Sequence, residues 1–266
     1  MYVRGAADGD LRAIAEIALA NDDGDGADPR YVAHLRAHGR FLVAATDETV
    51  GGYCAVRHLG GLTLLCDLFV DPARHGGGTG RRLLDAAFDA DGERSTFASR
   101  DPRAMSLYVR YGMVPRWPLL YLEGTTSFDG PAGGGVRAEA VSVAVAAAAE
   151  RELNGRDRSA DYAFWAATPG STGLLVRDGD AVAAAGIAGP DRLFHLVTAD
   201  GADPVATLRA ALATFTAARV RLCLPGPHPA LPLLLDARWR IEDADQHMSS
   251  RPDLLRSADV LSSSLA

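Results

Sequence analysis

The run His75-Gly76-Gly77-Gly78-Thr79-Gly80 sits behind an apolar strand-like stretch and a proline, and ahead of the helix-like "GRRLLDAAFDA". Glycine reaches positive φ at little cost and lets a ligand approach the main chain. The first N–H groups of a helix have no intrahelical partner, and the macrodipole adds roughly half a positive charge there. Such a loop can point several amides at one phosphate group, with Arg81 adding the next N–H and a cation. A Walker-type loop would need Gly-Lys-Ser/Thr, yet all 27 basic residues of this chain are arginine. A dinucleotide fingerprint follows the first strand of a β-α-β unit, whereas these glycines follow the fourth strand of a meander. The plain alternative is a flexible turn. A second chemical feature is Asp67, which interrupts the apolar run Leu62 to Val70. An acid in such a run is paired or functional, and strand alternation turns it away from Leu68 and Val70.

The elements that must position these groups read off hydrophobic periodicity. A short strand at Val3 to Gly5 precedes a helix with Leu11, Ile14, Ile17 and Ala18 on one face, behind the capping candidate Asp8. A second helix starts at Pro29. Three strand-like runs follow, Arg40–Thr46, Thr49–Leu59 and Leu62–Val70, with hairpin-length gaps. After the glycines come helix, strand ("STFASR"), helix ("PRAMSLYVRYG") and strand ("PLLYLEG"). "TTSFDGPAGGG" reads as a linker. Beyond it the order recurs at an offset of roughly 126 residues, within the range of a domain length. Ala104, Leu107 and Tyr108 align with Ala230, Leu233 and Leu234. The chain therefore divides into 1–126, a linker 127–135, a second unit 136–252 and a frayed tail 253–266.

Composition sets the class. The 266 residues are 48% hydrophobic and 23% charged, ordinary for a globular protein, with a net charge of −7 that argues against nucleic acid as a partner. Cys54, Cys66 and Cys223 are far apart in apolar runs and read as buried reduced thiols. The N-terminus lacks an apolar signal core, and no apolar run is long enough to span a bilayer. Cytoplasmic location and no membrane partner are the expectations.

The order β-α-α-β-β-β, glycine loop and helix, then β-α-β resembles the GNAT superfamily of acyl-CoA-dependent N-acyltransferases. The stretch Val70-Asp71-Pro72-Ala73-Arg74-His75-Gly76-Gly77-Gly78-Thr79-Gly80 resembles that family's pyrophosphate motif, Val-x-Pro-x-x-Arg/Gln-x-x-Gly-x-Gly/Ala. His75 stands where the family has Arg or Gln, with Arg74 beside it. Asp101-x-x-Ala104-x-x-Leu107-Tyr108-x-x-x-Gly112-Met113 resembles a second family pattern, with Asp101 for Asn and Met113 for Phe. The likeness is strong over residues 1 to 124 and weaker over 136 to 250. It implies an α/β (α+β) fold of two tandem GNAT-like domains, each a mixed, mostly antiparallel sheet flanked by helices.

It also implies the chemistry. An acyl group passes from acetyl-CoA, a co-substrate, to a primary amine of a small molecule or a protein by direct attack in a ternary complex, with no metal. An amine of pKa about 10.4 must lose its proton before it attacks. By resemblance Tyr108 donates a proton to the leaving thiolate. The fourth and fifth strands would splay at the glycine loop, so that backbone of Leu68, Phe69 and Val70 binds pantetheine as an added strand and polarises the thioester carbonyl. His75 to Gly80 and Arg81 would hold the diphosphate, and Asp101 and Ser106 would hydrogen-bond the cofactor. Asp67 is the candidate base, with a structural ion pair or a water chain as alternatives. Arg110 reads as solvated.

The second unit lacks the glycines, places Asp203 where an anion would sit, and has Leu234 in the place of Tyr108. It reads as a degenerate domain that packs, walls the acceptor site or dimerises. "DRSADYAFWA" offers acids beside Tyr162, Phe164 and Trp165, either a pocket for a cationic amine or an aromatic core face. His195 and His228 stand alone, and metal ligation is not favoured. The leading function is an N-acetyltransferase acting as monomer or homodimer. The rival is a non-catalytic acyl-CoA-binding sensor or partner protein, and a third option is acyl-CoA hydrolysis or decarboxylation.

Overall fold

The computed structural model describes residues 1–24, 26–99, 101–128 and 135–265, so most of the expected linker lies outside the described residues. In the first half, β1 (Tyr2–Gly5), α1 (Leu11–Ala20) and α2 (Pro29–His38) lead into the meander β2 (Gly39–Ala45), β3 (Val50–Leu59) and β4 (Leu62–Val70). α3 (Thr79–Ala87), β5 (Glu93–Ala98), α4 (Pro102–Arg110) and β6 (Val114–Gly124) follow. The second half repeats this order. It runs β7 (Val136–Val141), α5 (Val143–Asn154), α6 (Ser159–Ala166), β8 (Thr172–Asp178), β9 (Ala181–Ala188), β10 (Leu193–Thr198), α7 (Pro204–Leu212), β11 (Val220–Pro225), α8 (Leu231–Asp236) and β12 (Arg240–Ser249). The expected cap Asp8 lies in a short 3-10 turn instead. Asp10 accepts from the amide of Ala7 at 2.8 Å and pairs with Arg4.

An eight-stranded sheet has the order β1-β2-β3-β4-β5-β12-β6-β11, and a four-stranded sheet the order β10-β9-β8-β7. Pairing is antiparallel throughout except between β4 and β5. The last strand of the second half thus enters the sheet of the first. β12 pairs β5 through Gln246↔Ala98 and β6 through Ala244↔Leu120, while β6 in turn pairs β11 through Cys223↔Tyr121. The two halves succeed each other in the chain, but their sheets interlock.

Packing follows the same plan. α3 and α4 cover one face of the first-half sheet with Leu83, Leu84 and Tyr108, and Met113 of the turn before β6 and Met248 of β12 complete that core. On the other face Ile14, Tyr31, Leu35 and Tyr53 meet Ala146, Tyr162, Trp165 and Ile187 of the second half. An ionic cluster lies in the same region. Asp161 takes Nε2 of His34 at 2.7 Å, Nη2 of Arg57 at 2.9 Å and Nε of Arg158 at 3.3 Å. Burial alone would raise the Asp161 carboxyl, but the His34 hydrogen bond and the charges of Arg158 and Arg57 hold it below the usual range. Of the two acids in "DRSADYAFWA", Asp157 is exposed and Asp161 is 1% exposed, while Tyr162 and Trp165 are buried in the core.

The segment 253–265 is not a frayed tail. Leu254, Leu255, Val260, Leu261 and Leu265 are all buried, because the main fold leaves grooves that these side chains fill. All three cysteines are free thiols, Cys54 buried and Cys66 and Cys223 half-buried. Among the described residues no helix is long and apolar enough to cross a membrane.

Candidate functional site

The site starts from one extra residue. Ala55 faces Asp67 and Val56 faces Leu65, so Cys66 is a bulge in β4. Pairing of β4 with β5 ends at Leu65↔Thr96, and beyond it the two parallel strands part. The opening is a cleft of about 1160 Å³. Of the residues expected from the sequence, Asp67, Leu68, Phe69, Val70, His75, Gly76, Gly78, Thr79, Gly80, Arg81, Asp101, Ser106 and Tyr108 line it, and Gly77 does not.

The glycine loop delivers the chain into α3. Gly76 and Gly78 take φ of +79° and +76°, a region that disfavours any Cβ. Gly80 lets α3 approach α4, since a Cβ there would lie 3.3 Å from Leu107 Cδ2. Caps of Asp or Ser side chains satisfy the first amides of α2, α4, α5 and α7, from Asp28, Asp101, Ser142 and Asp203. At α3 the capping residue is Gly78, with no side-chain bond. Its leading N–H groups face the cleft with a partial positive charge.

Other expected contacts are taken up locally. Nε2–H of His75 donates to the Val70 carbonyl at 3.0 Å, and Nη1–H of Arg103 donates to His75 Nδ1 at 2.9 Å. Asn21 Nδ2 donates to the same carbonyl at 3.2 Å, so both lone pairs of Val70 O are engaged. His75 thus braces the loop. Asp101 caps α4 through the Arg103 amide at 2.9 Å and pairs with the Arg103 guanidinium at 2.8 Å. That hydrogen bond holds its carboxyl below the ordinary range. Ser106 donates to the Pro102 carbonyl at 2.7 Å. Both line the cleft while their polar atoms serve the helix.

Tyr108 is 5% exposed and projects from α4 into the cleft. Burial, reinforced by neighbouring acidic groups including Asp67 and Asp245, pushes its phenol far above its ordinary range, so it stays protonated. Asp67 is buried on the opposite face of β4 from Leu68, which packs toward α3. It accepts from the Tyr31 hydroxyl at 3.1 Å.

Several lining residues escaped the sequence reading. Tyr121 of β6 donates to Asp245 Oδ2 of β12 at 2.6 Å, and burial with Asp245 pushes this phenol up as well. Ser263 and Ser264 of the closing segment and Asp23 of the α1–α2 loop complete the wall. Asp245 lacks the signal that marked Asp67, since it stands in the polar stretch "RIEDADQ" with two other acids, and only the strand exchange brings it here. Charged residues of both signs line the cleft. Arg74, Arg81, Arg103 and Arg110 line it at the glycine loop and the adjoining α4, with Asp101 paired to Arg103, and the acids Asp67 of β4 and Asp245 of β12 line it as well. A second cavity of about 520 Å³ shares Tyr121, Ser263 and Ser264 with the first and adds Tyr31, Phe164 and Trp165.

Comparison with known proteins places this arrangement. The family model described as Acetyltransferase (GNAT) domain matches residues 37–114, from the last turn of α2 to the start of β6. A crystal structure of an acetyltransferase from Pyrococcus horikoshii, assigned as such without proof of activity, is 15% identical with a TM-score of 0.75, covering 99% of this chain and 95% of that one. A tandem GNAT protein from the clavulanic acid biosynthesis pathway is 15% identical with a TM-score of 0.61, covering 94% and 98%. A GCN5-related N-acetyltransferase from Anabaena variabilis is 15% identical with a TM-score of 0.64, covering 93% and 71%. At these identities the likeness is one of fold. No curated protein sequence matches significantly.

Proposed function

We propose that this chain, which carries a GNAT acetyltransferase domain and the fold of tandem GNAT proteins, transfers the acetyl group of acetyl-CoA to a small primary amine in its first-half cleft. The observation that carries the reading is the uncapped start of α3 beneath the left-handed Gly76 and Gly78, set at the end of a splayed parallel strand pair. The amides of Thr79, Gly80 and Arg81 would hold the diphosphate. Main-chain groups of Leu68 and Phe69 would bind the pantetheine arm as an added strand, upstream of the occupied Val70 carbonyl. Acetyl-CoA supplies the activated acyl group as a thioester.

The protein supplies proton transfers and alignment. The cleft acids Asp67 and Asp245 attract an ammonium, and Asp67 takes its proton so that the neutral amine attacks. The Tyr31 hydroxyl orients that carboxylate. Tyr108, held protonated by burial, gives its proton to the departing thiolate; the second N–H proton, shed as the amide forms, restores the phenol, and Asp67 releases its proton to solvent.

Acetyl-CoA titrated into the full chain by calorimetry, followed by thiol release with a panel of primary amines, tests this. Binding with amine-dependent release supports transfer. Binding without release under any amine supports a non-catalytic acyl-CoA-binding protein instead, release that needs no amine supports a hydrolase, and absence of binding removes the reading altogether.

A further inference from the structure

In the second half, the gap between β10 and β11 corresponds to the β4–β5 splay, and the chain itself fills it. Leu196 lies two residues before the end of β10, as Leu68 does in β4. Leu196 and Val260 exchange both backbone hydrogen bonds, at 3.0 and 2.9 Å, and the Leu261 amide donates to Cys223 O of β11 at 3.2 Å. The Ala258 carbonyl accepts from Thr198 Oγ1 and His228 Nε2, each at 3.1 Å, and Asp259 accepts from the Thr198 amide at 2.9 Å. Residues 258–261 are a strand-like segment, tied to β10 by the single Leu196–Val260 bridge, where a pantetheine arm would lie in the first half. Being covalently attached, that segment has an effective concentration of order millimolar or more, which shuts out a dissolved competitor. A second anchor follows, where Arg158 Nη2 donates to the Leu265 carbonyl at 2.7 Å in a buried site. Between the two anchors Ser263 and Ser264 are held against the cleft of the other half.

We propose that Ser263 and Ser264 are the acceptor-side wall of the first-half cleft and set which amines reach Asp67, and that the segment 258–261, seated in the vestigial cofactor slot of the second half, holds them there. The inference rests on the acetyl-transfer reading above. The wall is made of hydroxyls beside the Tyr121–Asp245 pair, so it fits a small amine carrying a hydroxyl or a second ammonium better than an alkyl chain.

The test uses the full-length protein and three variants: Ser263→Ala/Ser264→Ala, Ser264→Trp and Val260→Pro. Proline at 260 cannot donate to Leu196 O. Acetyl-CoA affinity is followed by calorimetry, and thiol release is followed without amine and with ethanolamine, putrescine or butylamine. Affinity for acetyl-CoA is expected to stay within about twofold throughout, while Ser264→Trp raises acceptor KM about tenfold with a smaller effect on kcat. Ethanolamine and putrescine should lose their advantage over butylamine in the double alanine variant. Val260→Pro and the double alanine variant should raise amine-free release at least about threefold, because water reaches the thioester. Unchanged amine preference together with unchanged amine-free release in the two serine variants overturns the inference even if Val260→Pro fails to fold. If wild type turns over none of the three amines, amine-free release alone decides. Failure of wild type to bind acetyl-CoA would instead remove the acetyl-transfer reading.

Discussion

At the residue scale the cleft holds the two groups proposed to handle protons in different environments. Tyr108 sits in an apolar core that keeps its phenol neutral, and Asp67 sits across β4 beneath the Tyr31 hydroxyl. In the proposed mechanism, acid and base roles would fall to different residues without either having to change identity. Removing only the phenolic proton donor, in Tyr108→Phe, should lower kcat by about 100-fold or more and leave acetyl-CoA affinity within about twofold, since general acid catalysis is worth at least roughly that much. Steady-state kinetics beside calorimetry check this, and an unchanged kcat would remove the acid role. Asp67→Asn should also lower kcat about 100-fold, but with a distinctive pH response. As pH rises toward the pKa of the acceptor, the amine arrives neutral and the deficit against wild type narrows. A deficit constant from pH 7 to 10 would make Asp67 structural.

At the level of elements, the two copies of one helix show what the glycine loop does. α7 starts with Asp203, whose carboxylate accepts from the amides of Val205 at 2.8 Å and Ala206 at 3.3 Å. α3 starts with Gly78 and leaves the same amides open. Gly78→Ala would force a side chain into φ +76°, costing about 1–2 kcal/mol of stability, and should weaken acetyl-CoA binding about tenfold by displacing those amides. Thermal melts and calorimetry on the same variant separate the two effects. The glycines, Asp67 and the α4 pattern were legible in the sequence because each is a local signal: a turn requirement, an acid in an apolar strand, a helical spacing. The use made of His75, Asp101 and Ser106 was not, because their partners, Val70 O, Arg103 and Pro102 O, depend on how the loop and α4 meet or on competition within the helix. The closing segment was misread for a related reason. "SADVLSSSLA" looks polar and unpatterned, and only the slot between β10 and β11 makes Val260 and Leu261 core residues.

At the scale of the whole molecule, strand exchange makes the halves one folding unit. Residues 1–126 alone would lose β12, leave β5 and β6 without the strand between them, and open the core at Met248. That fragment should give no cooperative thermal transition by circular dichroism, and the full chain should melt in a single step. Acid should loosen the exchange first. Burial, then Arg116, pushes His247 of β12 down to about 4, and burial pushes His228, which holds Ala258, down to about 4. Both stay neutral in the folded protein, while the unfolded chain takes up protons below about pH 6.5. Their contribution to stability is complete above pH 6.5, falls by about 1.4 kcal/mol per pH unit for each as pH drops, and is spent near pH 4. Asp259, raised by burial, works in the opposite sense. The expected result is a denaturation midpoint that declines between pH 6.5 and 4.5, with a shallower slope in His247→Asn. If that variant shows the wild-type slope, the imidazole on the exchanged strand is not the group that unfolding protonates.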